Sequence, residues 1–204
     1  IDLLAGPTEI LVIADDHADP LIVAADILGQ AEHDPNARQC LIALSPAIAE
    51  KTMSELEKQL QVLPTRDIAE LAWRDNGEVI VVDSKEEAVE LSDEWAPEHL
   101  EVLTDDWRYY LENCRNYGSK FCGEEATVAY GDKTIGTNHV LPTMKAARYT
   151  GGLSVGKFVK TVTYQYASKE ASYKIAEICE RACNYENMLG HGISCKVRVD
   201  KYGQ

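Results

Sequence analysis

Short apolar runs alternate with amphipathic stretches along the first half of the chain. Four runs have the length and continuous hydrophobicity of buried parallel strands, and they cover residues 9–14, 39–44, 78–83 and 100–103. Residues that favour helix starts follow three of them: Asp19-Pro20, Ser45-Pro46 and Ser84, the last with Glu87 in the capping-box position. This repeated order predicts an α/β fold with an incomplete Rossmann-like, doubly wound parallel sheet.

The pattern changes beyond residue 117. Residues 117–153 are rich in Gly, Thr and Asn and predict a long irregular loop, a feature that usually carries function. Residues 158–165 alternate like an exposed strand, and residues 168–184 have helical spacing. We expect an α/β domain over residues 1–152 and a helical and extended tail over residues 153–204. The tail is too small to bury a core of its own, so it should dock on the main domain or on another subunit.

Charge and hydropathy limit the partners that the chain can have. Lys and Arg total 20 against 34 Asp and Glu, which gives a net charge of -14 and a pI near 4.7. Such a surface repels phosphate backbones, so we expect no nucleic-acid partner. No apolar run approaches the roughly 20 residues of a membrane helix, so we expect no membrane partner either.

The chain start and the cysteines indicate a cellular location. Residues 1–7 (IDLLAGP) lack an initiator Met and a basic stretch before an apolar one, so they are typical of a chain entered at a domain junction rather than of a signal peptide. The six cysteines form no CxxC pair, and Cys40 lies in an apolar run, which favours free thiols in a reducing cytoplasm. Cys179 and Cys183 would need further soft ligands to bind a metal, and the sequence shows none.

Two clusters combine a polar side chain with a histidine. Gln30 and His33 lie three residues apart near a predicted helix end, and both side chains are acceptable zinc ligands. Taken alone, complementation of the helix dipole by His33 is the favoured interpretation. Glu98 and His99 are adjacent, so they can share a site only if the chain turns there, which Pro97 makes plausible. Such a pair could act in acid–base catalysis, and a surface Glu beside a half-buried His fits this cluster equally well.

Two further clusters follow, each ambiguous by itself. Asp132 and His139 lie in a Gly-containing segment from which both side chains can turn inward. In the tail, Gly190 frees the backbone between Glu186 and His191. The sequence has no GxGxxG fingerprint and no Walker loop, which argues against a dinucleotide- or nucleotide-phosphate-binding loop in this chain. It also has no GxSxG elbow, which argues against a serine hydrolase.

In their order along the chain, these clusters resemble the histidinol dehydrogenase family. Five segments match its motifs nearly letter for letter: residues 5–15 (AGPTEILVIAD), 30–34 (QAEHD), 96–101 (APEHLE), 136–143 (GTNHVLPT) and 152–155 (GLSV). Five ordered matches are far more specific than any single one. The resemblance covers the whole chain but only about the second half of the family's length, which implies that the N-terminal, NAD-binding half is absent from it.

The resemblance implies a role for each cluster. The zinc ligands would be Gln30, His33, Asp132 and His191. The acid–base residues would be Glu98 and His99. The substrate contacts would come from Thr8, Gln30, His33, His139 and Glu186. The tail would cross to the partner subunit of a homodimer, so that His191 and Glu186 complete the neighbour's site.

The implied reaction is the oxidation of histidinol through an aldehyde to histidine, in histidine biosynthesis, with two NAD in succession. His99 would take the alcohol proton, and Glu98 would help water add to the aldehyde. Zinc would orient and polarise the substrate without exchanging electrons.

The chain departs from the family pattern near the substrate. Thr8 replaces the usual Ser, Lys133 replaces an aromatic residue, and residues 144–150 and 162–166 look more like branches that act on other substrates. One such branch oxidises the sulfonated diol dihydroxypropanesulfonate, which makes a sister dehydrogenase the first alternative. The second alternative is a zinc-binding dimerisation module that is inactive alone. A metal-dependent hydrolase is least favoured, because no further carboxylate cluster accompanies the zinc set.

Overall fold

The computed structural model of the chain describes residues 6–203. Residues 1–5, on which the interpretation of the chain start rests, and residue 204 lie outside the described residues. Two compact units divide the chain, one ending at Phe158 and one beginning at Val159. The expected boundary at Gly152 lies slightly before this division. Within residues 6–203, every helix is too short or too polar to cross a bilayer.

The first unit alternates strands and helices, whereas the second is helical. The strands are β1 (Glu9–Ala14), β2 (Arg38–Ala43), β3 (Gly77–Val81), β4 (His99–Leu103) and β5 (Ser119–Cys122). The helices of the first unit are α1 (Pro20–Ala31), α2 (Pro46–Leu60), α3 (Arg66–Asn76), α4 (Lys85–Trp95), α5 (Trp107–Asn113) and α6 (Val128–Lys133). Short 3-10 turns cover Ala146–Arg148 and Val155–Phe158. The second unit contains α7 (Lys169–Tyr185) and α8 (Leu189–Tyr202), which pack against each other.

The sheet confirms the predicted fold class. Its five strands are parallel in the order β3-β2-β1-β4-β5, so the order reverses on the two sides of the central strand β1. Such a reversal defines a doubly wound sheet. Because successive side chains of a strand point to opposite faces, Ile10 and Val12 enter the core on one face of the sheet, and Leu11 and Ile13 enter the core on the other.

The predicted helix starts are confirmed by their caps. Asp19 accepts a hydrogen bond from the Leu21 amide at 2.9 Å, and Ser84 accepts one from the Glu87 amide at 3.1 Å. Glu87 in turn accepts from the amide of Asp83, one residue before the cap, at 3.0 Å. Each cap satisfies a backbone donor that the first helical turn leaves without a partner.

Two predictions for the second half are wrong. Residues 117–153 are not wholly irregular, because they contain β5 and α6, which are too short to give a clear periodic pattern. Residues 158–165 form no strand beyond the 3-10 turn. Their alternating side chains are exposed, with Tyr164 93% accessible, because no neighbouring strand pairs with this segment to bury one face.

Candidate functional site

A left-handed turn precedes β4 and sets the direction of two site residues. Ala96 ends α4 with φ 51° and ψ 63° and is fully buried, and Pro97 follows it. The Ser119 amide then donates to the Glu98 carbonyl oxygen at 2.9 Å, and Gly118 allows this close approach, since a Cβ at that glycine would lie 2.6 Å from the same oxygen. The turn that the sequence required at this point is therefore made by Ala96 together with Pro97.

Glu98 lies at the amino end of β4 with 8% of its surface exposed. Its Oε2 accepts hydrogen bonds from the Thr8 hydroxyl at 2.7 Å and from the Glu9 amide at 3.0 Å. These bonds favour the carboxylate, but burial has the larger effect and raises the pKa of Glu98 above its ordinary value. Glu98 is thus a carboxyl group prepared to hold or release a proton.

His99 is the first residue of β4 and is 4% exposed. Its Nδ1 lies 2.8 Å from the Glu9 carbonyl oxygen, 2.9 Å from Gln30 Nε2 and 3.5 Å from Glu98 Oε2. With the proton on Nδ1, the ring donates to the Glu9 carbonyl and leaves Nε2 with a free lone pair. Burial lowers the pKa of His99, so the ring is neutral at pH 7 and can act as a base.

Gln30, His33 and Asp132 line one cleft of about 340 Å³ beside these two residues. Gln30 lies in the last turn of α1, His33 follows that helix, and Asp132 lies in α6. The charges of Asp132 and His33 contribute to the pKa values of both Glu98 and His99, which places these four side chains in one electrostatic neighbourhood. The structure thus brings together residues that are a hundred positions apart in the sequence.

The donor set of this cleft suits a metal ion. Gln30 Nε2 donates to the Thr8 hydroxyl at 3.2 Å, which leaves the amide oxygen Oε1 for a ligand. Together with the imidazole of His33 and the carboxylate of Asp132, this oxygen makes a nitrogen and oxygen donor set that zinc accepts.

A pair of carboxyl groups, a buried Glu101 and a half-buried Asp26, lies between the two helices that carry these donors. Asp26 of α1 accepts a hydrogen bond from the Thr127 hydroxyl at 2.9 Å, and Glu101 of β4 accepts one from the Val128 amide at 3.2 Å. Burial raises the pKa of Glu101 well above its ordinary value, the negative charge of Asp26 adds to this effect, and burial also raises the pKa of Asp26. Sequence reasoning missed this pair; its signal is a charged residue inside the otherwise apolar strand HLEVL.

Glu9 is a second residue that sequence reasoning missed. It is 1% exposed, accepts the Met144 amide at 3.1 Å and lies 3.7 Å from Arg38. Burial raises the pKa of Glu9 despite these contacts. Its position ties the segment after His139 to the start of β1.

His139 is not among the residues that line the cleft. It is exposed, in a segment whose backbone is fixed by Gly152 with φ +88°, where a Cβ would lie 2.3 Å from the Val140 carbonyl oxygen. Glu186 and His191 belong to the second unit, where Glu186 follows the end of α7, His191 lies in the first turn of α8, and both are exposed.

The opposite edge of the sheet has a cleft of its own. It measures about 240 Å³ and lies where β1, β4 and β5 end, with Asp105, Glu124, Glu125 and His17 in its lining. Doubly wound sheets usually bind ligands at this edge, next to the reversal of strand order. Here the carboxylates would repel a phosphate, and the loop after β1 (DDHAD) contains no glycine to approach one.

The fold and the site define a class of protein: an α/β protein with a buried acid–base pair beside a metal-type donor set at the amino edge of a parallel sheet. Residues 1–199 match the sequence model of the family described as histidinol dehydrogenase. The chain belongs to the histidinol dehydrogenase family.

Relatives in this family have more than one name. The chain is 54% identical to a histidinol dehydrogenase homolog of Shouchella clausii, covering 100% of the chain and 48% of the relative. It is 47% identical to sulfopropanediol 3-dehydrogenase of Ruegeria pomeroyi, covering 99% of the chain and 47% of the relative. The crystal structure of histidinol dehydrogenase from Elizabethkingia anophelis matches with a TM-score of 0.95 at 35% identity, over 100% of the chain and 47% of that structure. The chain therefore spans about half the length of these proteins.

Proposed function

We propose that this chain forms the metal-binding and acid–base half of an NAD-linked dehydrogenase that oxidises L-histidinol through its aldehyde to L-histidine. The observation that carries the proposal is the burial of Glu98 and His99 side by side, next to the cleft of Gln30, His33 and Asp132. A neutral imidazole and a carboxyl group with a raised pKa are the groups that proton transfer at neutral pH requires.

Gln30, His33 and Asp132 would hold a zinc ion, with His191 of a second copy as a further ligand. Bound there, zinc would act as a Lewis acid that polarises the oxygen of the alcohol and of the aldehyde. Thr8 supports this arrangement, because its hydroxyl accepts from Gln30 and donates to Glu98, and so links the donor set to the acid–base pair.

His99 Nε2 would accept the proton from the hydroxyl oxygen of histidinol while the carbon that bears this hydroxyl loses a hydride to NAD, which gives the aldehyde. Glu98 would then take a proton from the water that adds to the aldehyde. The hydrated carbon would lose a second hydride to another NAD, and the carboxylic acid so formed would release its proton to solvent as the carboxylate. Residues outside this chain would hold NAD, since the crevice at the carboxyl edge is acidic.

The same proposal includes a homodimer in the cytoplasm. His139 and Glu186 would hold the substrate, and the exposed position of Glu186 and His191 leaves both side chains available to a neighbouring copy. All six cysteines are free thiols, which suits a reducing compartment.

A second candidate substrate is a small sulfonated diol. Lys133 lines the cleft beside the metal-type donors, and its ammonium group favours an anionic substrate. The relative named sulfopropanediol 3-dehydrogenase is also more similar in sequence than the solved histidinol dehydrogenase, 47% against 35% identity.

Turnover by the full-length enzyme distinguishes the two substrates. We expect NAD reduction with histidinol, and none by the chain of residues 1–204 alone. A kcat/KM for dihydroxypropanesulfonate above that for histidinol, lowered at least tenfold by Lys133→Ala but not by Lys51→Ala on the exposed face of α2, would establish the sulfonate instead. No oxidation of either substrate by a protein that contains both metal and NAD would contradict the proposal.

A further inference from the structure

Three cysteine side chains of the second unit meet between α7 and α8. Cys179 and Cys183 lie one turn apart on α7, with their Sγ atoms 4.0 Å apart, and Cys195 faces them from α8. All three Sγ atoms lie within 4.8 Å of one another, and within residues 6–203 they are the set of three His, Cys, Asp or Glu ligand atoms that meets this distance. The cluster could not be recognised from the sequence, because Cys195 lies on a different helix from Cys179 and Cys183.

The sulfur spacing is close to that of a tetrahedral metal site. With Zn–S bonds of about 2.3 Å, two thiolates of one tetrahedron lie about 3.8 Å apart. The 4.0 Å between Cys179 and Cys183 needs almost no adjustment, and Cys195 needs a shift of less than about 1 Å.

The cleft beside the three cysteines is accessible to an ion and contains basic side chains. Cys179 and Cys195 line a cleft of about 1030 Å³, so a cation and an additional water ligand can enter from solvent. Lys169 and Arg198 line the same cleft and would partly balance the negative charge of three thiolates.

The second unit also has a small core. Its buried side chains include Ala176 and Cys183, whereas Ile178 and Ile193 are more than half exposed. Units below roughly 70–80 residues commonly depend on a disulfide, a metal or a partner for stability. A metal shared by α7 and α8 would supply such a crosslink.

We propose that Cys179, Cys183 and Cys195 form a structural site for a thiophilic divalent cation, Zn²⁺ in the cell, that joins the two helices of the second unit. The site is separate from the donor set of Gln30, His33 and Asp132, and it does not depend on the proposed dehydrogenase activity.

Cobalt binding to the reduced chain tests the site directly. A Co²⁺ ion bound by thiolates gives a strong near-ultraviolet charge-transfer absorption, which nitrogen and oxygen ligands do not give. We expect one such Co²⁺ per chain, loss of most of the absorption in Cys195→Ser and in Cys179→Ser, and retention in Cys122→Ser, which removes a thiol of β5. Retention in His33→Ala would show that the signal does not come from the other site.

Proteolysis within residues 159–204 gives a second readout that does not require the variants to fold equally well. Zn²⁺ at about 100 times its Kd should slow cleavage of the native chain by about 100-fold, because the metal binds only the closed form. The same addition should not protect Cys195→Ser. The proposal is overturned if wild-type protein shows no thiolate absorption, if Cys195→Ser keeps it, or if two of the three thiols form a disulfide in the folded chain.

Discussion

The two edges of the sheet differ in how they hold their charged groups. At the carboxyl edge, Asp105 and Glu124 are exposed to solvent. At the amino edge, Glu98 and His99 are buried. Burial raises the pKa of Glu98 and lowers the pKa of His99, so it favours the neutral form of both side chains. Topology alone would place a ligand at the carboxyl edge, whereas the buried titratable groups favour the amino edge, so the comparison teaches that the two criteria select different edges of this sheet.

The two edges carry different side chains because the helices and the loops reach opposite ends of the strands. α1 carries Gln30 and His33 back to the edge where β1 and β4 begin, and the β1–β4 register places His99 opposite Ile10. The carboxyl edge instead receives loops with several acidic residues, such as the DDHAD turn after β1.

Removing the imidazole at the amino edge should have the largest effect. His99→Asn in the full-length enzyme should lower kcat by about 10²–10⁴-fold, the usual contribution of a positioned general base. His17→Asn, which removes an exposed imidazole at the carboxyl edge, should change kcat less than twofold. Steady-state rates check both variants, and equal losses at the two edges would remove the distinction between them.

Loss of the Glu101 carboxyl group should destabilise the amino edge without removing a side chain that lines the cleft. Glu101→Leu leaves the Val128 amide without its acceptor, which should cost about 1–3 kcal/mol in the free energy of unfolding. Glu101→Gln can still accept from Val128 and should cost less. Urea denaturation of the two variants measures the difference, and an equal cost would mean that the hydrogen bonds of Glu101 contribute nothing.

The pH dependence of the Gln variant sharpens the same point. Because the pKa of Glu101 is raised above 4.5 in the folded protein, the native state holds a proton that the unfolded chain releases. The contribution of Glu101 to stability is therefore complete below about pH 4.5 and is lost as the pH rises through the folded pKa. As the pH rises through the folded pKa, the free energy of unfolding of Glu101→Gln should therefore increase relative to that of wild type, and urea midpoints at a series of pH values would show this. A difference in midpoint that does not change with pH would contradict the burial of an ionisable Glu101.

The smallest effect is expected at the turn before β4. Ala96→Gly removes left-handed backbone strain worth about 1 kcal/mol and loses a buried methyl group worth about 0.8 kcal/mol. The midpoint of thermal unfolding should hardly move, and kcat should stay within about threefold if the turn keeps its shape. A large loss of activity at unchanged stability would show that the methyl group itself holds Glu98 in place.

The sequence predicted the sheet well because its strands are continuous apolar runs and its helix starts carry side-chain caps. It could not reveal Glu9, Asp26 and Glu101 as site supports, since their partners lie far away in the chain. It also missed the third thiol, Cys195, because α8 combines two glycines with β-branched residues and gives little helical signal. The family motifs in the sequence predicted Gln30, His33 and Asp132 as site residues. Only the fold shows that these three side chains line the same cleft.

The central claim is that these three side chains hold one metal ion at the amino edge. Calorimetric titration of Zn²⁺ into the metal-free full-length enzyme, in a Cys195→Ser background that removes the thiolate site, tests it most directly. We predict that His33→Ala and Asp132→Ala each weaken binding beyond the roughly 10- to 100-fold cost of losing an outer-shell partner, while Asp105→Ala at the carboxyl edge leaves binding unchanged. Unaltered affinity in Asp132→Ala would contradict the account.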